Sequence, residues 1–166
     1  MIEWLRILAR IAILRAGPQD LPCGSAWLIT ALLLYASIVL LAGRATEEAA
    51  PGPDLLIALV VPLVCTVLLL FVRGVPARLN QTVSALFGTG ALISLVNLPI
   101  WFNDTLPMPP PLVLLALAAL FWSLAVDAHI WRNALELPFA GGLVTAVVIL
   151  LVQLYTFQAF LPNPGS

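Results

Sequence analysis

Residues 73–101 read RGVPARLNQTVSALFGTGALISLVNLPIW, and the fold turns on that stretch. Two arginines, Arg73 and Arg78, open it and a polar turn through Asn80 and Gln81 follows. An apolar run then carries Ser, Thr, Gly and one amide, Asn97. A cytoplasmic loop leading into a membrane-spanning helix has this order. Guanidinium groups stay in water beside lipid phosphate, and about 20 residues suited to hydrocarbon come next. The other helices are placed by counting outward from this one.

The whole composition agrees with that reading. The chain has 166 residues, 62% of them hydrophobic and 9% charged, with a mean hydropathy of +1.09. Soluble domains carry about 25% charged residues, so the apolar excess has to be absorbed by lipid. Continuous apolar runs, rather than alternating segments of about ten, exclude a β-barrel. The fold class is therefore all-α, a polytopic helical membrane protein with five transmembrane helices and a short N-terminal interfacial helix. No basic cluster with stacking aromatics is present, which excludes nucleic acid as a partner. Cys23 and Cys65 lie in different regions without ligand spacing, so neither a zinc site nor a disulfide framework is expected.

Residues 1–16 are apolar but interrupted by Glu3, Arg6 and Arg10, spaced three and four apart on one helical face. That pattern predicts an interfacial amphipathic helix. Arg10 splits the apolar core that a signal peptide needs, and the bulky Pro22 before Cys23 argues against a lipoprotein. The five-helix bundle is expected over 25–160, with spans at about 25–43, 55–72, 82–101, 111–130 and 139–160. Pro62 falls inside the second span, where it should bend the helix. Pro110 and Pro111 open the fourth, a polar turn WRNALELP follows it, and Pro162 and Pro164 lie at the end of the fifth. Of the seven arginines, six fall in the N-terminal segment, the 73–81 loop and the turn at 132. Only Arg44 falls on the other side, beside Glu47, Glu48 and Asp54. The positive-inside rule then puts the N-terminus in the cytoplasm and the C-terminus outside.

Polar side chains inside apolar runs are where function would reside, because each needs a partner there. Asn97 and Gln153 both sit roughly 22 Å from the inner face, and form a candidate interhelical polar contact. Ser84, Gly88 and Gly90, and Gly142 with Ala146, are small-residue faces suited to close helix packing. The densest polar group is Asp127, His129, Arg132, Asn133 and Glu136, at the cytoplasmic end of the fourth span. Within it Arg132 and Glu136 are spaced to pair, and Asp127 can reach Arg73 or Arg78 from the same side of the membrane. Arg73, Arg78, Asp127, His129 and Arg132 thus make a candidate partner-docking rim. Asp127 and His129 project about 200° apart and form no simple dyad. Ser84, Ser94 and Ser123 lack a nucleophile-elbow context, and one histidine cannot build a metal site. No catalytic residue, metal or cofactor is expected.

The basic lead-in at Arg73 and Arg78, the run LNQTVSALFGTGALISLVNLP ending at Pro99, and the proline-opened span reaching WSLAVDAHIW together resemble the Yip1-like family of five-span membrane proteins. The resemblance covers about residues 70–160 and implies a five-helix fold with no catalytic residues. Eukaryotic members carry an Asp-Leu-Tyr-Gly-Pro turn that Gln19-Asp20-Leu21-Pro22 does not match, so the link to vesicle traffic does not carry over. Arginine as the sole basic residue, with abundant Ala, Leu and Pro, points to a GC-rich bacterial gene and an inner membrane.

Two functions can be held on these residues, and the first leads, because a transporter should carry more ionisable groups inside its spans or paired broken helices. One is a non-catalytic scaffold or accessory subunit, contacting the bilayer and another membrane protein or a second copy through the small-residue faces and the arginine rim. The other is a small transporter or channel component with a polar path at Asn97 and Gln153.

Overall fold

The computed structural model describes residues 2–45, 52–103 and 107–160. Glu47 and Glu48, the middle of the 102–110 loop, and Pro162 and Pro164 lie outside the described residues. All described secondary structure is helical: α1 Ile2–Ala12, α2 Ser25–Ala45, α3 Gly52–Val72, α4 Leu79–Val96, the single turn α5 Leu98–Trp101, α6 Pro110–Leu135 and α7 Phe139–Phe160. Two 3-10 turns, Pro18–Asp20 and Pro76–Arg78, join them. Five of these helices are long and apolar enough to cross a membrane, so the chain is a helical membrane bundle.

Among the boundaries that differ from the sequence expectation, those of α4 and the end of α6 bear on the polar residues. α4 begins at Leu79 because the turn Pro76–Arg78 runs straight into it. It stops at Val96, short of 101, since Pro99 has no N–H to continue the ladder and starts a separate turn instead. α6 runs through Arg132 and Asn133 to Leu135, where a polar turn had been expected. The chain reverses at Glu136, which takes a left-handed conformation (φ 55°, ψ 48°).

The same reversal ends α3. Gly74 adopts φ 73°, while Val75 N–H bonds back to Leu70 O at 2.9 Å and Gly74 N–H to Phe71 O at 3.0 Å. This is the Schellman arrangement, which satisfies carbonyls a helix end leaves without donors.

α2 packs along α4 and α6 along α7; the two pairs meet where α4 touches α6, and α3 bridges them by packing on α7 as well as on α4 and α2. α6 and α7 approach so closely at Gly142 that a Cβ there would lie 2.2 Å from Ala128 O. The outward faces are as apolar as the interior, with Val144, Val148, Leu151 and Leu154 of α7 all exposed. Such faces suit hydrocarbon, where the backbone is already satisfied within each helix.

α1 is amphipathic, and its apolar face is covered by protein. Trp4, Leu8 and Ile11 are buried, while Glu3, Arg6 and Arg10 on the opposite side are exposed. Leu8 fills the space above Gly88, where a Cβ would come within 2.7 Å of its methyls. Trp4 stacks on Trp27 with ring centroids 5.6 Å apart. Trp122 Nε1 donates to Ala12 O at 3.0 Å. α1 is thus a strap across α2, α4 and α6, and its small-residue partner on α4 is spent inside the fold.

Candidate functional site

The polar residues at one end of the bundle divide into two groups with different surroundings. The first group ties chain segments together. Arg73 Nη2 donates to Leu135 O at 2.9 Å, and Arg78 Nη1 donates to Asn133 O and Ala134 O at 3.2 and 3.0 Å. Arg78 Nη2 also pairs with the Glu136 carboxylate. The last carbonyls of a helix lack intrahelical donors and carry the negative end of its dipole, so two guanidinium groups are well matched to them. This is why α6 persists to Leu135. The expected Arg132–Glu136 pair is replaced by Arg78–Glu136, and neither Arg73 nor Arg78 reaches Asp127.

His129 Nε2 lies 2.9 Å from Ala16 O, and since a carbonyl only accepts, that nitrogen carries the proton. Asn133 Nδ2 donates to His129 O at 2.7 Å. Gln81 Nε2 donates to Gln19 O and Leu21 O at 3.1 and 2.6 Å, and Asn80 Nδ2 to Cys23 O at 3.1 Å. The linker after α1 is therefore held by the polar start of α4 and by α6. Of the proposed docking rim, Arg73, Arg78 and His129 have internal partners, and Arg132 stands exposed.

The second group faces a partly open cavity of about 400 Å³ lined by α3, α4, α6 and α7, with Tyr35 contributed by α2. Asp127, Asn97 and Gln153 all line it, joined by Ser94 and Ser123. Asn97 and Gln153 share this cavity without a hydrogen bond between them among the described residues, and Asn97 Oδ1 is buried with no partner. Tyr35 meets Phe87 edge-on, with centroids 5.3 Å apart, and lies within electrostatic reach of Asp127. Pro62 cannot donate to the Ala58 carbonyl one turn earlier, and both residues line the same space. Small side chains at Ala58, Gly90, Ala116 and Ala119 keep it open.

Sequence reasoning paired Asn97 with Gln153 but left Asp127 apart on the docking rim, and it missed Tyr35, Trp101 and Trp131 of the lining. The signal was there in part. Ala116, Ala119, Ser123, Asp127 and Trp131 recur every three or four residues on one face of α6, as do Gly90, Ser94 and Asn97 on α4. A second cavity of about 250 Å³, lined by Gln19, Arg78, Gln81 and Glu136, lies among the linker contacts at the end of α6.

No protein-family model matches this chain, and neither a curated protein nor a solved structure matches it.

Proposed function

We propose that this chain is a small transporter or channel component of a bacterial inner membrane, non-enzymatic, with its N-terminus cytoplasmic and its solute path running through the cavity. One observation carries the reading: Asp127, Asn97 and Gln153 line one chamber within the bundle, and Asn97 Oδ1 has no protein partner. Unsatisfied polar groups in hydrocarbon are costly and mark solute or ion pathways. A volume of about 400 Å³ falls in the range of small-molecule sites. Two of the polar lining residues, Ser94 and Asn97, sit at the end of α4 next to the break at Pro99, and interrupted helices beside a binding site are a transporter feature.

The inward orientation is supported by the gathering of Arg73, Arg78 and Arg132 with the α1 linker at one end of the bundle. A place among Yip1-like five-span proteins belongs to the same proposal, on the strength of the proline-opened fourth span. A scaffold is the weaker reading. Gly88 is filled by Leu8, Gly142 by α6, and two of the rim arginines by carbonyls of α6.

Extraction in gentle detergent at native expression, with mass spectrometry of what co-purifies, separates the two. The proposal expects the chain alone or as a homo-oligomer. A stoichiometric membrane partner that is lost on Arg132→Ala would return the scaffold reading.

A further inference from the structure

We infer that the cavity takes an elongated organic cation, an ammonium group on an apolar body, with the ammonium at Asp127 and a hydrogen-bonding end at Asn97 and Gln153. The inference rests on reading the cavity as a solute chamber.

Charge is the first argument. Asp127 lines the chamber, and no cationic side chain lines it with Asp127. Among the described residues the ion pairs run Arg6–Glu3 and Arg78–Glu136, leaving Asp127 without one. His129, two residues on, turns to Ala16 on another side of the helix. An uncompensated carboxylate in a low-dielectric space is stabilised by a cation brought to it.

The second argument is the company Asp127 keeps. Tyr35, which lines the same cavity, offers a phenol oxygen and a π face, and Phe87 and Trp131 supply further rings. Aromatic faces attract ammonium groups in desolvated sites. A metal ion fits poorly, since no group of three His, Cys, Asp or Glu that could hold one exists among the described residues.

Length is the third. Arg78, at the start of α4, bonds to the end of α6, so those two ends are level. Asp127 lies eight residues from Leu135 at that end of α6, and Asn97 eighteen residues beyond Leu79. At the rise of an α-helix the two polar ends are separated by roughly 15 Å along the bundle. Ile93, Ile149 and Leu150 line the space between. A molecule matching this is cationic at one end, apolar in the middle and polar at the other end.

Equilibrium binding to the purified protein of three near-isosteric probes that share a phenol end tests this: the ammonium 4-(4-hydroxyphenyl)butylammonium, the alcohol 4-(4-hydroxyphenyl)butanol and the carboxylate 4-(4-hydroxyphenyl)butyrate. The ammonium should bind at least ~10-fold tighter than the alcohol, and the carboxylate weakest. Asp127→Asn should erase the preference for the ammonium while alcohol binding persists, which also shows that the variant is folded. Asp127→Glu should restore part of the preference. Equal binding of ammonium and alcohol, or a preference that survives Asp127→Asn, overturns the cation and leaves the chamber standing. Binding of all three that is indifferent to Ala119→Trp, which fills the cavity, overturns both, as does failure of every probe to bind.

Discussion

Arg78 and Ala134 are 56 residues apart in sequence, and the guanidinium Nη1 of the first lies 3.0 Å from the carbonyl oxygen of the second. That bond, shared with Asn133 O and flanked by Arg73 on Leu135 O, closes the C-terminal end of α6. Hydrogen bonds from a charged donor are worth about 1.5–3 kcal/mol where they are sheltered. Arg78→Ala should therefore lower stability by about 2 kcal/mol, read as a shift in thermal or denaturant unfolding in detergent micelles. Arg78→Lys should recover only part, because one ammonium nitrogen cannot serve the α6 carbonyls and the Glu136 carboxylate together as the two guanidinium nitrogens do. The exposed ion pair to Glu136 adds little, so Glu136→Gln should change stability by less than about 1 kcal/mol.

Two glycines should respond to alanine in a fixed order, and a third, Gly74, for a different reason. At Gly142 the obstacle is the backbone of Ala128, which cannot give way, so Gly142→Ala forces α6 and α7 apart. At Gly88 it is the flexible tip of Leu8. At Gly74 the space is open and only the positive φ resists, for about 1 kcal/mol. Unfolding measurements should rank the losses Gly142 above Gly88, with Gly142→Ala costing about 2 kcal/mol or more.

Leu8 and Gly88 form one packing unit, so their substitutions should not add. Leu8→Ala alone opens a void and costs about 2–5 kcal/mol. With Gly88→Ala in place the new methyl occupies part of that void. The double variant should be more stable than the sum of the singles by at least about 0.5 kcal/mol. Additive losses would show that α1 does not seat on α4 in the membrane.

Sidedness can be read with a native thiol. Cys23 is exposed at the end of the bundle that carries the α1 linker. In a Cys65→Ala background an impermeant maleimide should modify it in inverted vesicles and spare it in intact spheroplasts. A Gln158→Cys variant, near the end of α7, should give the opposite pattern. The same sidedness at both positions would be incompatible with an odd number of spans.

The bundle itself was legible because each span is a continuous apolar run, and lipid is the only solvent that accepts it. The end of α6 was not. Asp127, His129 and Arg132 read as the margin of a span, whereas Arg73 and Arg78 arrive from another helix to extend it, and sequence spacing does not announce such a cap. α1 was legible as amphipathic, but what covers Trp4, Leu8 and Ile11 depends on the gap at Gly88 in a different helix. The cavity was the least visible of all. It is made by what is missing at Gly90, Ala116 and Ala119, and a gap shows only once neighbouring helices are in place.

The chamber is the central claim, and access of water to Ser123 tests it most directly. Ser123 lines the cavity from α6, whereas Val144 on α7 is 63% exposed and lies on the lipid-facing surface. In membranes carrying the chain without Cys23 and Cys65, a small hydrophilic methanethiosulfonate should label Ser123→Cys and leave Val144→Cys unreacted. The reaction at Ser123→Cys should slow when Ala119→Trp fills the space. Equal silence at both positions, under conditions where Cys23 in the parent chain reacts, would contradict a water-accessible path and with it the transport reading.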